Sequence, residues 1–447
     1  MTTPLNRLKQ YKSWGRYPTV EHKAIHQIHW RSDLPDVNQF EETVLPYGYG
    51  RSYGDSCLNE GGILLDTSYM QQFMVFDAEQ GLVRCEAGVS LEQVLEVIVP
   101  CGWFLPVTPG TKFVSIGGAI ANDVHGKNHH RAGTFGCHVT QFELVRSDGT
   151  YICSPTENAE LFRATIGGLG LTGIITWAEF KLKRIPSPLI DQEKIRFANL
   201  DEFFAISAEM DQRFEYLMSW SDCLSGGDSM GRGIFMAGNF YDPPLGAEPS
   251  TKKLKPFVPF DLPSIALNTL SVKAFNAVLY RVPLGKRVRS IVHYEPFYYP
   301  LDAINNWYRL YGKRGFLQYQ LVVPFEGDNE PIREVYRRIA QSGEGSFLVV
   351  LKAFGDIVSP GMMSFPMPGV TLALDFAFNG EKTLKLLDEL DMIVREAKGR
   401  VYPAKDARMS PENFRAYYPQ WEEFAHYIDP KFSSSFWRRV TASANGQ

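Results

Sequence analysis

Residues 115–130 read Ser115-Ile116-Gly117-Gly118-Ala119-Ile120-Ala121-Asn122-Asp123-Val124-His125-Gly126-Lys127-Asn128-His129-His130. The first half carries almost no side chain and the second is abruptly polar. Backbone built from Gly117, Gly118, Ala119 and Ala121 can lie directly against a large flat ligand or a pyrophosphate. Asn122, Asp123, His125 and Lys127 then bring four polar side chains together within six positions. A glycine-rich hairpin with a polar tip would read the same way in isolation. Two further glycine stretches favour the ligand: Tyr47-Gly48-Tyr49-Gly50-Arg51-Ser52-Tyr53-Gly54-Asp55 and Gly167-Gly168-Leu169-Gly170-Leu171-Thr172-Gly173. All three adjoin β-prone sequence. Convergence on one cofactor is more economical than three unrelated turns.

The spacing within these loops narrows the cofactor. Gly48 to Gly54 is one residue too long for a dinucleotide fingerprint, and no helical pattern follows it. Gly168-x-Gly170-x-x-Gly173 matches that fingerprint letter for letter in the wrong setting. A helix-like segment precedes it and the β-prone run from Ile174 to Phe180 follows, whereas a nicotinamide site needs strand, loop and helix in that order. A nicotinamide site is therefore rejected, and the loop is kept as a cofactor contact. The cofactor-binding candidates are Gly48, Gly50, Arg51, Ser52, Tyr53 and Gly54; Thr108, Pro109 and Gly110; Ser115, Gly117, Gly118, Asn122, Asp123, His125 and Gly126; and Gly168, Gly173 and Ile174.

The chain has 447 residues, too many for one ordinary core. A net charge of −4 leaves no electrostatic footprint for nucleic acid. No run approaches the length of a membrane span, and no charged start leads into an apolar core. The reading is cytoplasmic. One qualification is the 241–264 stretch, where Lys252, Lys253 and Lys255 neighbour Phe257, Val258, Phe260 and Leu262. Basic and apolar residues interleaved in this way suit a lipid headgroup surface, so peripheral contact with the inner face of a membrane stays open, as does a plain linker. The six cysteines form no C-x-x-C pair and are read as buried thiols. His22, His26 and His29 have metal spacing only if they lie on a helix; no metal is expected.

Ser90-x-x-Gln93 is a capping box for a helix carrying Leu91, Val94, Leu95 and Ile98 on one face. Ser154-Pro155 is read as the cap of another. After Pro186 the character changes to strands alternating with covering helices. The expected domains are 1–187, 188–398 and a tail, 399–447. In 315–325 Leu317, Tyr319, Leu321 and Val323 alternate with Gln318 and Gln320. In 370–378 Leu372, Leu374 and Phe376 alternate with Thr371, Ala373 and Asp375, and Lys352 interrupts the apolar run 347–354. One face of a second, α+β domain built on one antiparallel sheet thus carries Gln318, Gln320, Lys352 and Asp375. Such groups are costly to bury unless paired or wetted, which points to a ligand cavity or to a structural Lys352–Asp375 ion pair.

The strings Gly50-Arg51-Ser52-Tyr53-Gly54-Asp55, Asn122-Asp123-Val124-His125-Gly126-Lys127-Asn128-His129-His130 and Tyr402-Pro403-Ala404-Lys405-Asp406 resemble the flavin oxidoreductases of the vanillyl-alcohol-oxidase (PCMH-type FAD-binding) superfamily. Within it they resemble the branch acting on polyprenyl-phosphate-linked ribose. The resemblance implies an α+β, two-domain PCMH-type FAD-binding fold whose tail packs back on the FAD domain. It implies oxidation of a C2′ hydroxyl to a 2-keto sugar by hydride transfer to flavin N5. A short-chain reductase partner would then complete an epimerisation to arabinose. A soluble aldonolactone or sugar-alcohol oxidase is the second reading, and a flavin-carrying scaffold without turnover the third. Tyr53, His125, Lys127, Gln318, Gln320, Lys352 and Lys405 would surround the substrate. Lys405 or Tyr53 would take the hydroxyl proton, and His125 would orient Lys127 and the flavin edge. Relatives that attach FAD covalently carry a histidine where this chain has Arg51, so the FAD is expected to be non-covalent.

Mycobacterial members of that branch carry a cysteine where this chain has Ala373. The thiol is not needed for hydride transfer, so the native reaction should tolerate the change. Compounds that trap that cysteine covalently should leave this protein unlabelled, and an adduct seen by intact-protein mass spectrometry would refute this.

Overall fold

The computed structural model describes residues 11–242, 268–282, 285–302, 304 and 306–442. The lysines and apolar residues of 252–262, expected at a lipid surface, lie outside the described residues. Among the described residues no helix is long and apolar enough to cross a membrane.

Two antiparallel sheets dominate. The smaller has five strands in the order Phe73–Asp77, Leu82–Glu86, Ile174–Lys181, Val139–Arg146, Gly149–Cys153. The larger has eight: Arg287–His293, Leu189–Phe197, Gly233–Phe240, Tyr216–Ser221, Val349–Phe354, Gly369–Ala377, Phe316–Val323 and Arg400–Val401. A parallel three-stranded sheet, with Ile63–Asp66 between Ala24–Gln27 and Val44–Tyr47, leads into the first glycine loop.

The larger sheet follows its alternation. Leu317, Tyr319, Leu321, Val349, Leu351, Leu372, Leu374 and Phe376 share one core with Ile332, Val335, Tyr336 and Ile339 of helix Glu330–Ser342. Leu386, Leu387, Leu390 and Val394 of helix Glu381–Glu396 complete it. Period-2 strands under period-3.6 helices leave the opposite face of the sheet for the polar residues. The tail runs back across the first glycine loop. The Val44 amide donates to the Lys431 carbonyl at 2.8 Å, and Arg438 donates to Asn59 at 2.8 Å.

Local readings fared unevenly. The Ser90 capping box opens helix Leu91–Ile98 as its residues demand. Ser154 accepts from the Glu157 amide at 2.9 Å, but this closes a turn, and the helix starts later, at Ala159. His26 lies in strand Ala24–Gln27, so the helical spacing of the three histidines does not exist. Residues 116–121 are a short helix capped by Ser115, whose Oγ accepts from the Gly118 amide at 3.1 Å. Gly117 is needed where that helix meets the sheet: a Cβ there would sit 3.1 Å from that of Ala87.

The closest backbone approach joins the first glycine loop to the tail. A Cβ at Gly54 would fall 1.7 Å from the carbonyl oxygen of Asp406, and the neighbouring Tyr53 amide donates to the Ala404 carbonyl at 2.9 Å. Neither side of that contact is a flexible side chain, so the backbones must part if any side chain is added. Gly54→Ala is expected to cost about 1–3 kcal/mol by overpacking, read as a lower midpoint of urea unfolding. An unchanged midpoint would refute the contact.

Candidate active site

A cavity of about 460 Å³ lies between the glycine loops and the face of the larger sheet opposite helices Glu330–Ser342 and Glu381–Glu396. Gly48, Gly50, Gly110, Gly117, Gly118 and Gly126 form part of one wall. Gln318, Gln320, Lys352, Thr371, Ala373 and Asp375 form part of the other, with Tyr53, His125, Lys127, Tyr402 and Lys405 between them. The sheet register sets the second wall. Gln318 lies opposite Asp375, Gln320 opposite Ala373 and Lys352 opposite Thr371.

Of the residues singled out from sequence, Gly54, Asp123, Gly168 and Ile174 stand outside the cavity wall. Gly54 is pressed on Asp406. Asp123 is buried and turned away, accepting from the Gly136 amide at 2.9 Å and from the hydroxyls of Ser359 and Ser364, both at 2.5 Å. A Cβ at Gly168 would meet the Ala164 carbonyl at 2.2 Å. Ile174 packs into a separate core with Ile28, Val44 and Ile63, while its neighbour Ile175 faces the cavity. Met218, Trp220 and Asp302 also line the cavity and were not anticipated. Every residue of strand Tyr216–Ser221 is buried, so its pattern gives no sign of which face meets a ligand.

Two clusters of charge divide the wall. In the first, Lys352 Nζ lies 3.0 Å from His125 Nδ1 and donates to the Gly126 carbonyl at 2.7 Å. Lys352 as an ammonium cannot accept, and in that state Nδ1 is the acceptor and the imidazole proton sits on Nε2. Nε2 is 3.0 Å from the side-chain amide of Gln320. With the amide nitrogen on that side, Gln320 Oε1 would be buried without a partner. Turning the amide over gives Nε2–H its acceptor and leaves the NH₂ for a ligand. The Thr371 hydroxyl, 3.1 Å from the same end of the amide, could give that oxygen its proton only by releasing the Leu321 carbonyl, to which it donates at 2.8 Å. Burial holds His125 well below its usual pKa, and the positive charges of Lys352 and Lys405 add to the effect. Burial also lowers Lys352, helped by Lys127 and Lys405. Lys127 is not held by His125. Its ammonium donates to the Tyr298 carbonyl at 3.1 Å, and burial lowers it to about 8.

In the second cluster Lys405 Nζ lies 5.5 Å from the centre of the Tyr53 ring. Burial pushes Lys405 below the ordinary lysine range, with Asp375 pulling the other way. Burial raises Asp375, opposed by a hydrogen bond from Gln318 and by Lys405. Tyr53 is raised by burial first and by Asp375 second. Asp375 is hydrogen-bonded by Gln318, and the cation whose charge reaches it is Lys405. Lys352, opposite Thr371 and four residues along the strand, is roughly 13 Å away in register and forms no pair with it.

Arg51 stacks its guanidinium 4.0 Å above the Trp14 ring and 5.4 Å from that of Phe113, with Nε buried and unpartnered. The wall fits a flavin dinucleotide on this structure's own evidence. Glycine backbone lines one side, a Cβ at Gly110 would project into open space, and the lining Gln318, Gln320 and Arg51 each keep a buried polar atom without a partner.

Comparison with known proteins agrees. A family described as FAD binding domain matches residues 34–154. Decaprenylphosphoryl-beta-D-ribose oxidase of Mycolicibacterium smegmatis is 36% identical over 97% of this chain and 97% of its own length. An uncharacterized protein of Streptomyces coelicolor is 33% identical over 79% of this chain and all of its own. Human Delta(24)-sterol reductase is 30% identical over 31% of this chain and 27% of its own.

The geometry around His125 predicts an imidazole that is neutral and protonated at Nε2 at neutral pH and that gains its second proton only well below the ordinary value of 6.5. Nitrogen-15 NMR of histidine-labelled protein reads this directly. Titration near the ordinary value, or an Nδ1–H tautomer, would refute it.

Proposed function

The chain belongs to the family of decaprenylphosphoryl-beta-D-ribose oxidase and is an FAD-dependent oxidoreductase, and on that premise we propose that it oxidises the C2′ hydroxyl of a polyprenyl-phosphate-linked ribose to the 2-keto sugar. The observation that carries this reading is Lys405, a half-buried amine on the cavity wall whose Nζ lies 5.5 Å from the Tyr53 ring and which feels the charge of Asp375. Removing hydride from an alcohol leaves a proton on its oxygen, and that proton needs an acceptor within the dry site. A lysine acts as one when burial lowers its pKa enough for the free amine to be populated near neutral pH.

Bound FAD would supply the hydride acceptor, at N5 of its ring. Backbone amides of Gly50, Arg51 and Ser52 would hold its phosphates without a charged side chain, whereas those of Gly117 and Gly118 are given to the Ala87 carbonyl and to Ser115 Oγ. On the opposite wall Gln318, Gln320, Lys127 and Lys352 would hold the sugar hydroxyls and the forming ketone. Lys405 would take the hydroxyl proton and share it with Asp375, whose raised pKa lets it accept. Burial keeps the Tyr53 phenol protonated, so Tyr53 serves as a donor that orients the sugar. The reading extends to a membrane-borne substrate, to peripheral contact with the membrane, and to a short-chain reductase that takes the ketone onward to arabinose.

The test is anaerobic mixing of the yellow protein with polyprenyl-phosphoryl riboses, free ribose, aldonolactones and sugar alcohols. Loss of the visible flavin band with the lipid-linked ribose alone is expected. Bleaching by the free compounds instead would establish the aldonolactone or sugar-alcohol oxidase. Lys405→Ala should keep the flavin spectrum and abolish reduction. Since the acceptor must be the free amine, the wild-type rate should fall as pH drops through a midpoint below the ordinary lysine value of 10.5. A Lys405→Ala protein reduced at the wild-type rate would refute the assignment.

A further inference from the structure

Helix Ser435–Thr441, near the end of the described chain, contributes a cation to two loops it otherwise only borders. Arg439 grips Asp55 in a fork: Nε lies 2.9 Å from Oδ2 and Nη2 lies 2.6 Å from Oδ1. The same Nη2 lies 2.9 Å from Oδ2 of Asp406. Nη1 donates to the Met409 carbonyl at 2.5 Å. Asp55 and Asp406 are both buried, and each is adjacent or nearly adjacent to a residue on the cavity wall. Asp55 follows Tyr53 by two positions. Asp406 follows Lys405 directly.

We infer that Arg439 is a positioning residue that locks the Tyr53 loop to the Lys405 loop, and so fixes the proton acceptor against the cavity. The inference rests on the reading of Lys405 as that acceptor.

Two buried carboxylates repel, and Asp406 is among the charges that raise Asp55. Without a cation between them the loops would part or take in water. Arg439 turns that repulsion into a three-point clamp whose planar fork fits both carboxylates at once. The clamp has little slack. Asp406 is also tied by its Oδ1 to the amides of Arg408 and Met409, at 3.1 and 2.9 Å. On the other side the Tyr53 amide meets the Ala404 carbonyl at 2.9 Å. Arg439 itself does not line the cavity. Its effect on chemistry must therefore pass through the placement and dryness of Lys405. The groups that face Lys405 are Tyr53 from the first glycine loop, Asp375 from strand Gly369–Ala377, and the more distant His125 and Lys352. None belongs to the clamp.

The test compares the FAD-loaded wild type with Arg439→Lys and with the charge-free triple variant Arg439→Met/Asp55→Asn/Asp406→Asn. The asparagines keep an acceptor for the Arg408 and Met409 amides, so the triple variant removes the clamp and no buried charge is left unpaired. Two readouts are taken: the anaerobic rate of flavin reduction against substrate concentration and pH, and a substrate-free pH titration of the flavin visible band. In the triple variant, reduction should slow by about a hundredfold, the effect of a misplaced catalytic group, while the half-saturating substrate concentration hardly moves. The midpoint of both pH profiles should move up by about one unit or more as Lys405 gains water. Arg439→Lys, which keeps the charge and loses the fork, should fall between. A folded, yellow triple variant with wild-type rate and midpoint would overturn the inference. So would a slow one with an unmoved midpoint, or one that cannot fold, since either makes Arg439 structural only. If the phosphoribose fails to bleach the wild type, the substrate reading falls, and the spectral titration still decides this one.

Discussion

A buried ammonium must be met by acceptors or lose its proton, and Lys352 meets its acceptors on the other side of the cavity. It rises from the larger sheet and ends on His125 Nδ1 and the Gly126 carbonyl, both from the glycine-rich stretch. One side chain thus ties the sheet to the loop across the space where a ligand must sit. The tie sets the tautomer of His125, the tautomer sets the orientation of the Gln320 amide, and the amide sets which polar atom faces inward. A carboxylate in place of these acceptors would satisfy the ammonium and also consume its charge. A carbonyl and an imidazole satisfy it and leave the charge in the cavity.

The same logic separates the two clusters. Lys352 and Lys127 have carbonyl partners and no carboxylate, so no anion offsets their charge at that end of the wall, and burial lowers both. Lys405 faces Asp375, so the other end can pass a proton between two groups whose affinities burial has brought together. Strand register does the separating. Thr371 and Asp375 are on the same face of one strand but four residues apart, which keeps the Lys352 end from neutralising the Asp375 end.

Much of this was legible in the sequence because it depends on local period. Alternation in 315–325 and 370–378 alone assigns Gln318, Gln320 and Asp375 to one face. Glycine content alone marks the loops that approach a ligand. What could not be read depends on contacts between residues far apart in the chain. Asp123 lies in the most informative stretch and yet is turned to Ser359 and Ser364, more than two hundred positions on. Gly54 and Gly168 are glycines for the sake of neighbouring backbone, not of a ligand. A glycine says that something comes close and does not say what. Arg439 gave no signal because an arginine on a short helix near the chain end looks like any solvated surface residue.

The position of that arginine also bears on why the tail returns at all. The larger sheet is complete at Val401, and the tail adds Phe414, Tyr417, Tyr418, Phe436 and Val440 to the core that its helices cover. Ending just past Lys405 would leave it on an untethered turn, free to hydrate and regain an ordinary pKa. A general base on a loop is useful only while the loop is held dry, and holding it dry takes contacts from a second direction. The tail provides them by crossing to the first glycine loop: Phe432 bridges to Val44, Arg438 reaches Asn59, and Arg439 reaches Asp55. The segment after the sheet thus completes the core and, in the same course, holds one amine against the cavity.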